Sequence, residues 1–139
     1  MQFTHSPYFI AEIGVNHDGS FDKAIRLIES ASDCGANAVK FQSFKASDVV
    51  IDSAPKADYQ METTSKKETQ KEMLKKLEIN ESWYPELRKC CDKNKLQLIS
   101  TPYTLVDADL MKRYNFDFIK LASVSAVEFP FISQLSRLK

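Results

Sequence analysis

Four short apolar runs, each followed by a stretch with helical spacing, constrain this chain more than any other feature. They occupy residues 8–15, 38–43, 96–101 and 116–123. Apolar residues fall on both alternating sets of positions, as in strands buried on both faces, and therefore in parallel sheet. The first run is bounded by Pro7 and by Asn16-His17-Asp18-Gly19. Ser20 then stands as a helix N-cap with Asp22 in the first turn. Phe21, Ala24, Ile25, Ile28, Ala31 and Cys34 follow at helical spacing, and Gly35 is a natural stop.

After the second run comes a long connection, residues 44–65, which carries Pro55 and shows no clear periodicity. Loops of that length in a compact domain are usually functional. The Lys/Glu-rich run 66–76 predicts a solvated helix with opposite-charge pairs, its apolar side made by Met73, Leu74 and Leu77. Asn80 caps the next helix, with Trp83, Tyr84, Leu87, Cys90 and Cys91 as core positions and Asn94 as terminator. Pro102 ends the third strand, and residues 107–113 read as a short helix. Pro130 opens a last helix, with Phe131, Ile132, Leu135 and Leu138 on one face. This order predicts an α/β fold with parallel strands and right-handed crossovers. Four β/α units make the N-terminal half of a TIM-type (β/α)8 barrel, so residues 1–139 read as one partial barrel domain.

Composition removes several function classes. Nineteen basic residues balance nineteen acidic ones, which leaves no general basic surface for nucleic acid. No apolar run approaches the roughly 18 residues of a membrane helix. The cysteines, Cys34, Cys90 and Cys91, are odd in number and lack CxxC spacing, so they form neither a disulfide framework nor a metal site. Residues 1–7 lack the basic segment and apolar run of a secretory signal. The expectation is a cytoplasmic protein with reduced thiols.

In such folds chemistry sits at the C-terminal ends of strands. The polar residues there are Glu12 and Asn16, Lys40 and Gln42, Ser100 and Thr101, and Lys120 and Ser123. A charge inside an apolar strand costs several kcal/mol unless it is paired or used. One reading is an anion site, with Lys40 and Lys120 supplying charge, Ser100, Thr101 and Ser123 neutral donors, and Glu12 an acid/base or hydrogen-bond partner. The other is a structural Glu12–Lys40 ion pair with Lys120 reaching to solvent. His17 reads either as a substrate or proton-handling group or as part of a solvated turn. A metal site within the chain is not expected, since His5 and His17 have no partner at ligand spacing.

Five segments together resemble the sialic acid (N-acetylneuraminate) synthase family. They are residues 9–19 (FIAEIGVNHDG), 35–42 (GANAVKFQ), the long loop with 57–60 (ADYQ) and 72–78 (EMLKKLE), 100–103 (STPY) and 118–123 (FIKLAS). The resemblance implies condensation of phosphoenolpyruvate with N-acetylmannosamine or a related N-acetylated hexosamine to a nine-carbon 2-keto acid. It further implies a divalent metal, manganese or magnesium, with ligands outside this chain, and a homodimer in the full-length form. The second half of the barrel and an antifreeze-like domain would lie outside residues 1–139. By position, Lys40, Thr101, Lys120 and Ser123 would cradle the phosphate and carboxylate of phosphoenolpyruvate. Gln42 would contact the sugar, Glu12 would lie beside the reacting groups, and Asn16 and His17 would shape the floor of the site. One position departs from the family pattern: Ser125 stands where members commonly carry a glutamate. The isolated half-barrel is expected to show little or no synthase activity. Two alternatives stay open: a non-catalytic, anion-binding half-barrel, and a different phosphoenolpyruvate-using or Schiff-base aldolase with Lys120 as imine lysine.

Overall fold

A computed structural model describes residues 7–56 and 68–138. His5 and the 57–60 segment lie outside the described residues. Strand β1 (Ile10–Gly14) leads into helix α1 (Phe21–Asp33), then β2 (Ala38–Ser43) and the short α2 (Ala46–Val49). Next come α3 (Gln70–Lys75), a 3-10 turn Glu81–Trp83, α4 (Tyr84–Lys93) and β3 (Gln97–Pro102). Helix α5 (Leu105–Arg113), β4 (Phe118–Ile119), a second 3-10 turn Val124–Val127 and α6 (Phe129–Leu135) complete the order. The strands form one sheet in the order β1-β2-β3-β4, every pair parallel.

Local chemistry explains most boundaries. The Ser20 hydroxyl accepts from the Lys23 N–H at 3.2 Å and opens α1; Gly35, at φ +78°, lets the chain leave it. Asn80 accepts from the Ser82 N–H at 3.0 Å, but the turn it caps is 3-10, and the α-helix starts only at Tyr84 with Pro85 in its first turn. Helix α5 begins two residues earlier than the apolar pattern predicts. Thr104 and Asp107 form a reciprocal capping box, the Thr104 hydroxyl accepting from the Asp107 N–H at 3.2 Å and an Asp107 carboxylate oxygen accepting from the Thr104 N–H at 2.9 Å. Pro102 is the last residue of β3 rather than the first beyond it. Within the expected 44–65 connection, α2 forms a single turn.

The last strand is much shorter than the expected 116–123. It pairs with β3 on one side only, Ile99 with Phe118 and Ser100 with Ile119, and bonds from Asp117 N–H to Leu98 C=O and from Lys120 N–H to Ser100 C=O, both 2.9 Å, flank that ladder. Arg88 anchors it from α4, with Nη1 2.6 Å from Asp117 Oδ2, which also accepts from the Leu98 N–H at 2.7 Å.

The core lies between the sheet and the helices. Ile13, Val39, Phe41 and Leu98 face Ala24, Ile28 and Ala31 of α1 and Tyr84, Leu87 and Cys91 of α4. Each fully buried large side chain here contributes about 1.5–3 kcal/mol. Cys90 and Trp83 pack against this cluster, as expected. The three cysteines are free thiols. Among the described residues no helix is long and apolar enough to cross a membrane.

Candidate functional site

Strand register sorts the polar residues between the two faces of the sheet. Glu12 pairs with Lys40, Lys40 with Ile99, and Ile99 with Phe118, which puts all four on one face. Gln42 pairs with Thr101, so those two share that face one step nearer the strand ends. Alternation brings Lys120 to the same level. This face is concave and encloses about 560 Å³, with Ile10, Glu12, Lys40, Ile99, Phe118 and Lys120 in its lining. Tyr8 and Gln97 close its lower end, the Tyr8 hydroxyl bonded to the Gln97 carboxamide oxygen.

At the centre, the Lys40 ammonium lies 2.9 Å from Glu12 Oε1. The Lys40 side chain is only 6% exposed, whereas that of Glu12 is 57% exposed. Glu12 folds back across Gly14, which sits at φ +54°; a Cβ there would stand 2.9 Å from Glu12 Oε1 and 3.9 Å from Gln42 Nε2. The β1–β2 register slips between Glu12 and Gly14. The Thr101 hydroxyl is buried and has no hydrogen-bond partner among the described residues. A buried hydroxyl left unpaired costs about 1–3 kcal/mol. Lys120 is exposed on the same face, and Ser123 is exposed at the start of the second 3-10 turn.

Two residues singled out in the sequence, Ser100 and His17, lie on the helix side of the sheet. Ser100 is on the helix side of β3, where its hydroxyl is 2.9 Å from Ser43 Oγ, and Tyr84 donates to that same Ser43 oxygen at 3.0 Å. It packs inside the core and offers no donor to the cavity. His17 is fully buried on the helix side as well, its ring edge-on to Trp83 at 5.7 Å and tilted against Phe41 at 6.3 Å. Its Nδ1 accepts from the Gly19 N–H at 3.1 Å, which assigns the proton of the neutral ring to Nε2. Burial lowers the His17 pKa, Asp18 opposing and Lys23 assisting. Asn16 is exposed in the turn after β1. Ser125, by contrast, is buried in the second 3-10 turn.

Two contributors escaped the sequence reading. Gly14 carried a signal, being a glycine inside a strand pattern. Tyr103, just past β3, sets its ring edge-on to Phe44 at 5.9 Å. Burial and, less, the Glu12 charge push its hydroxyl pKa up. Among the described residues no group of three His, Cys, Asp or Glu could hold a metal ion, and Glu12, the carboxylate in the cavity lining, is committed to Lys40.

Comparison with known proteins places this geometry. Residues 27–139 match the NeuB family. The chain is 39% identical over 129 residues to N,N'-diacetyllegionaminic acid synthase of Campylobacter jejuni, covering 93% of this chain and 39% of that protein. It is 33% identical to the Legionella pneumophila protein of the same name, over 95% of this chain and 37% of that protein. N-acetylneuraminate-9-phosphate synthase of Homo sapiens is 27% identical over 96% of this chain and 37% of its own length. The solved structure of the Bacillus subtilis spore coat polysaccharide biosynthesis protein SpsE superimposes with a TM-score of 0.73 at 27% identity, over 98% of this chain and 35% of that one. A Leptospira borgpetersenii sialic acid synthetase shares the fold, with a TM-score of 0.72 at 22% identity over 95% of this chain and 41% of that one. The chain thus spans less than half the length of the relatives it matches. Its four parallel β/α units are the N-terminal part of a TIM-type barrel, and on the match across residues 27–139 this chain belongs to the NeuB family.

Proposed function

We propose that this chain supplies the phosphoenolpyruvate-binding half of a sialic-acid-synthase-type active site, which joins phosphoenolpyruvate to N-acetylmannosamine or a related N-acetylated hexosamine and yields a nine-carbon 2-keto acid. One observation carries the reading: a buried ammonium, Lys40, midway along β2, and a buried unpaired hydroxyl, Thr101, near the end of β3, share one face of the sheet. Charged and neutral donors preset around a cavity suit a phosphorylated carboxylate.

In this reading Lys40, Thr101 and Lys120 hold the phosphate and carboxylate, and Ser123 joins them from the turn beyond β4. Gln42 faces the sugar, and Tyr103 and Phe44 flank that side. Asn16 and the buried His17 shape the turn that follows the strand carrying Glu12. The reaction forms a bond from C3 of phosphoenolpyruvate to the sugar aldehyde carbon. Water adds its oxygen at C2, the C2–O bond to phosphate breaks, and inorganic phosphate leaves. Negative charge gathers on that phosphate, against Lys40 and Lys120. Glu12, exposed on one side and tied to Lys40 on the other, is placed to exchange a proton with the new sugar hydroxyl. A divalent metal would polarise the aldehyde, with its ligands outside the described residues.

The test is to co-express residues 1–139 with the C-terminal remainder of the Campylobacter jejuni relative. Phosphoenolpyruvate, the amino sugar and manganese are then supplied, and phosphate and 2-keto acid are assayed. The relative's own first part, paired with the same remainder, is the control. Sugar-dependent turnover that Lys40→Met abolishes supports the proposal. Saturable phosphoenolpyruvate binding without turnover, when the control turns over, makes this a binding module. Borohydride trapping of a keto acid on Lys120 makes it a Schiff-base aldolase.

A further inference from the structure

Two aromatic rings meet just beyond the strands on which the candidate site is built. Phe44 is the first residue past β2 and Tyr103 the first past β3, and their rings stand edge to face at 5.9 Å. Tyr103 is fixed by its own helix: Asp107 of α5 accepts from the Tyr103 N–H at 3.3 Å and from the Thr104 N–H at 2.9 Å. Phe44 has no such local clamp. Lys45, at the N-cap of α2, makes no side-chain capping bond, and α2 is four residues long. A helix that short does not hold itself in water. Its acceptor comes from 32 residues away: Glu78 Oε1 accepts from the Ala46 N–H at 2.9 Å. Glu78 Oε2 lies 3.2 Å from the Lys45 ammonium. Ala46 and Ile79, on either side of this contact, are buried. The stretch carrying Glu78 is itself wedged against the turn after β1. A Cβ on Gly19 would stand 2.3 Å from the Lys76 carbonyl oxygen, and Trp83 meets His17 edge-on at 5.7 Å.

We propose that Glu78 is a positioning residue for the sugar side of the site: it sets the path of the chain out of β2, and with it the Phe44 ring against Tyr103. The carboxylate serves as a remote N-cap, supplying to α2 the acceptor that Lys45 cannot. The hydrogen bond to Ala46 is the operative contact. The ion pair adds little, because the Lys45 side chain is 51% exposed. Lys40 and Thr101 are held by the β2–β3 ladder, in which Lys40 pairs with Ile99 and Gln42 with Thr101, and Glu78 takes no part in it. Loss of the cap therefore moves Phe44 and spares the anion-binding residues. The inference rests on the proposed reaction only in naming a sugar as what Phe44 and Tyr103 flank; the brace itself does not depend on it.

Amide hydrogen exchange of the 139-residue chain tests the brace without any reaction. Glu78→Ala should speed exchange at Ala46 by at least about tenfold and leave β2 and β3 protected. Glu78→Gln, whose carboxamide oxygen still accepts, should keep the original rate. The chain co-expressed with the relative's C-terminal remainder then reads the consequence. Glu78→Ala should raise the KM for the sugar about fivefold or more with the KM for phosphoenolpyruvate unchanged, and Glu78→Gln should restore it. Should Glu78→Ala fail to fold, Glu78→Asp keeps the charge but is one methylene too short to reach the Ala46 N–H, and it should behave as the alanine variant would. One exchange rate at Ala46 in every variant overturns the proposal, whether or not the pair turns over. So does an unmoved sugar KM, a rise in both KM values together, or a glutamine variant as impaired as the alanine one. An unsubstituted pair without turnover counts against the proposed reaction, and exchange at Ala46 then decides the brace by itself.

Discussion

Gly14 leaves empty the space into which the Glu12 carboxylate folds, since a Cβ there would stand 2.9 Å from Oε1. The same carboxylate oxygen is 2.9 Å from the Lys40 ammonium, so a missing side chain on β1 sets the charge arrangement on β2.

Gly14→Ala should therefore cost more than backbone strain. The left-handed conformation alone is worth about 1–2 kcal/mol per non-glycine residue. Gly35→Ala incurs only that strain, because nothing lies within 4 Å of its added Cβ. Urea unfolding should show a larger loss for Gly14→Ala, and phosphoenolpyruvate titration should show weakened binding for that variant alone. Equal losses and unchanged binding would mean that Glu12 moves aside at no cost.

Lys40→Met should separate stability from binding. Glu12 is half exposed and keeps its hydration when its partner goes. The change in unfolding free energy should stay within about 1 kcal/mol. Anion affinity, measured calorimetrically, should fall at least about tenfold, since a hydrogen bond to a charged group is worth about 1.5–3 kcal/mol. A strongly destabilised variant with intact binding would make the pair structural.

Thr101→Val removes a buried hydroxyl that has no partner among the described residues. Unfolding should become harder by up to about 1 kcal/mol, the lower end of an unpaired group's cost. Phosphate binding should weaken at the same time. Loss of stability would mean that the hydroxyl is paired in solution.

Stability should fall at both ends of the pH range. His17 is held below its ordinary 6.5 by burial. Its contribution is therefore complete above pH 6.5 and is lost as pH drops through the folded value. Cys91 is pushed up from 9.0 to about 12, mainly by burial. Its contribution is complete below pH 9 and is lost as pH rises toward 12. Thermal melts across pH should show both slopes. His17→Leu should flatten the acid one and Cys91→Ala should reduce the alkaline one, where Tyr84, also pushed up to about 12, adds to it. A variant with an unaltered slope would remove its residue from the account.

Much of the architecture is readable from the chain by itself. The apolar runs and their helical followers specify a parallel α/β order, because strands covered on both faces need apolar residues on both. Ser20 and Gly35 mark the ends of α1 through local hydrogen bonding and left-handed backbone, and neither requires a partner from afar. Lys40 and Glu12 stand out for a similar reason: a charge in a doubly buried strand demands an explanation wherever the strand lies.

Tertiary structure decided what adjacency in sequence leaves open. Ser100 and Thr101 are neighbours, and in a strand without polar alternation nothing local says which one faces the cavity. Pairing of Gln42 with Thr101 settles it, and Ser100 goes to the core beside Ser43 and Tyr84. His17 reads as a turn residue, yet Phe41 and Trp83 enclose it from elements 24 and 66 positions away. The run 116–123 reads as a strand of eight positions but pairs with β3 over two, Phe118 and Ile119. Local propensity sets which elements exist; register and packing between distant elements set which side chains meet.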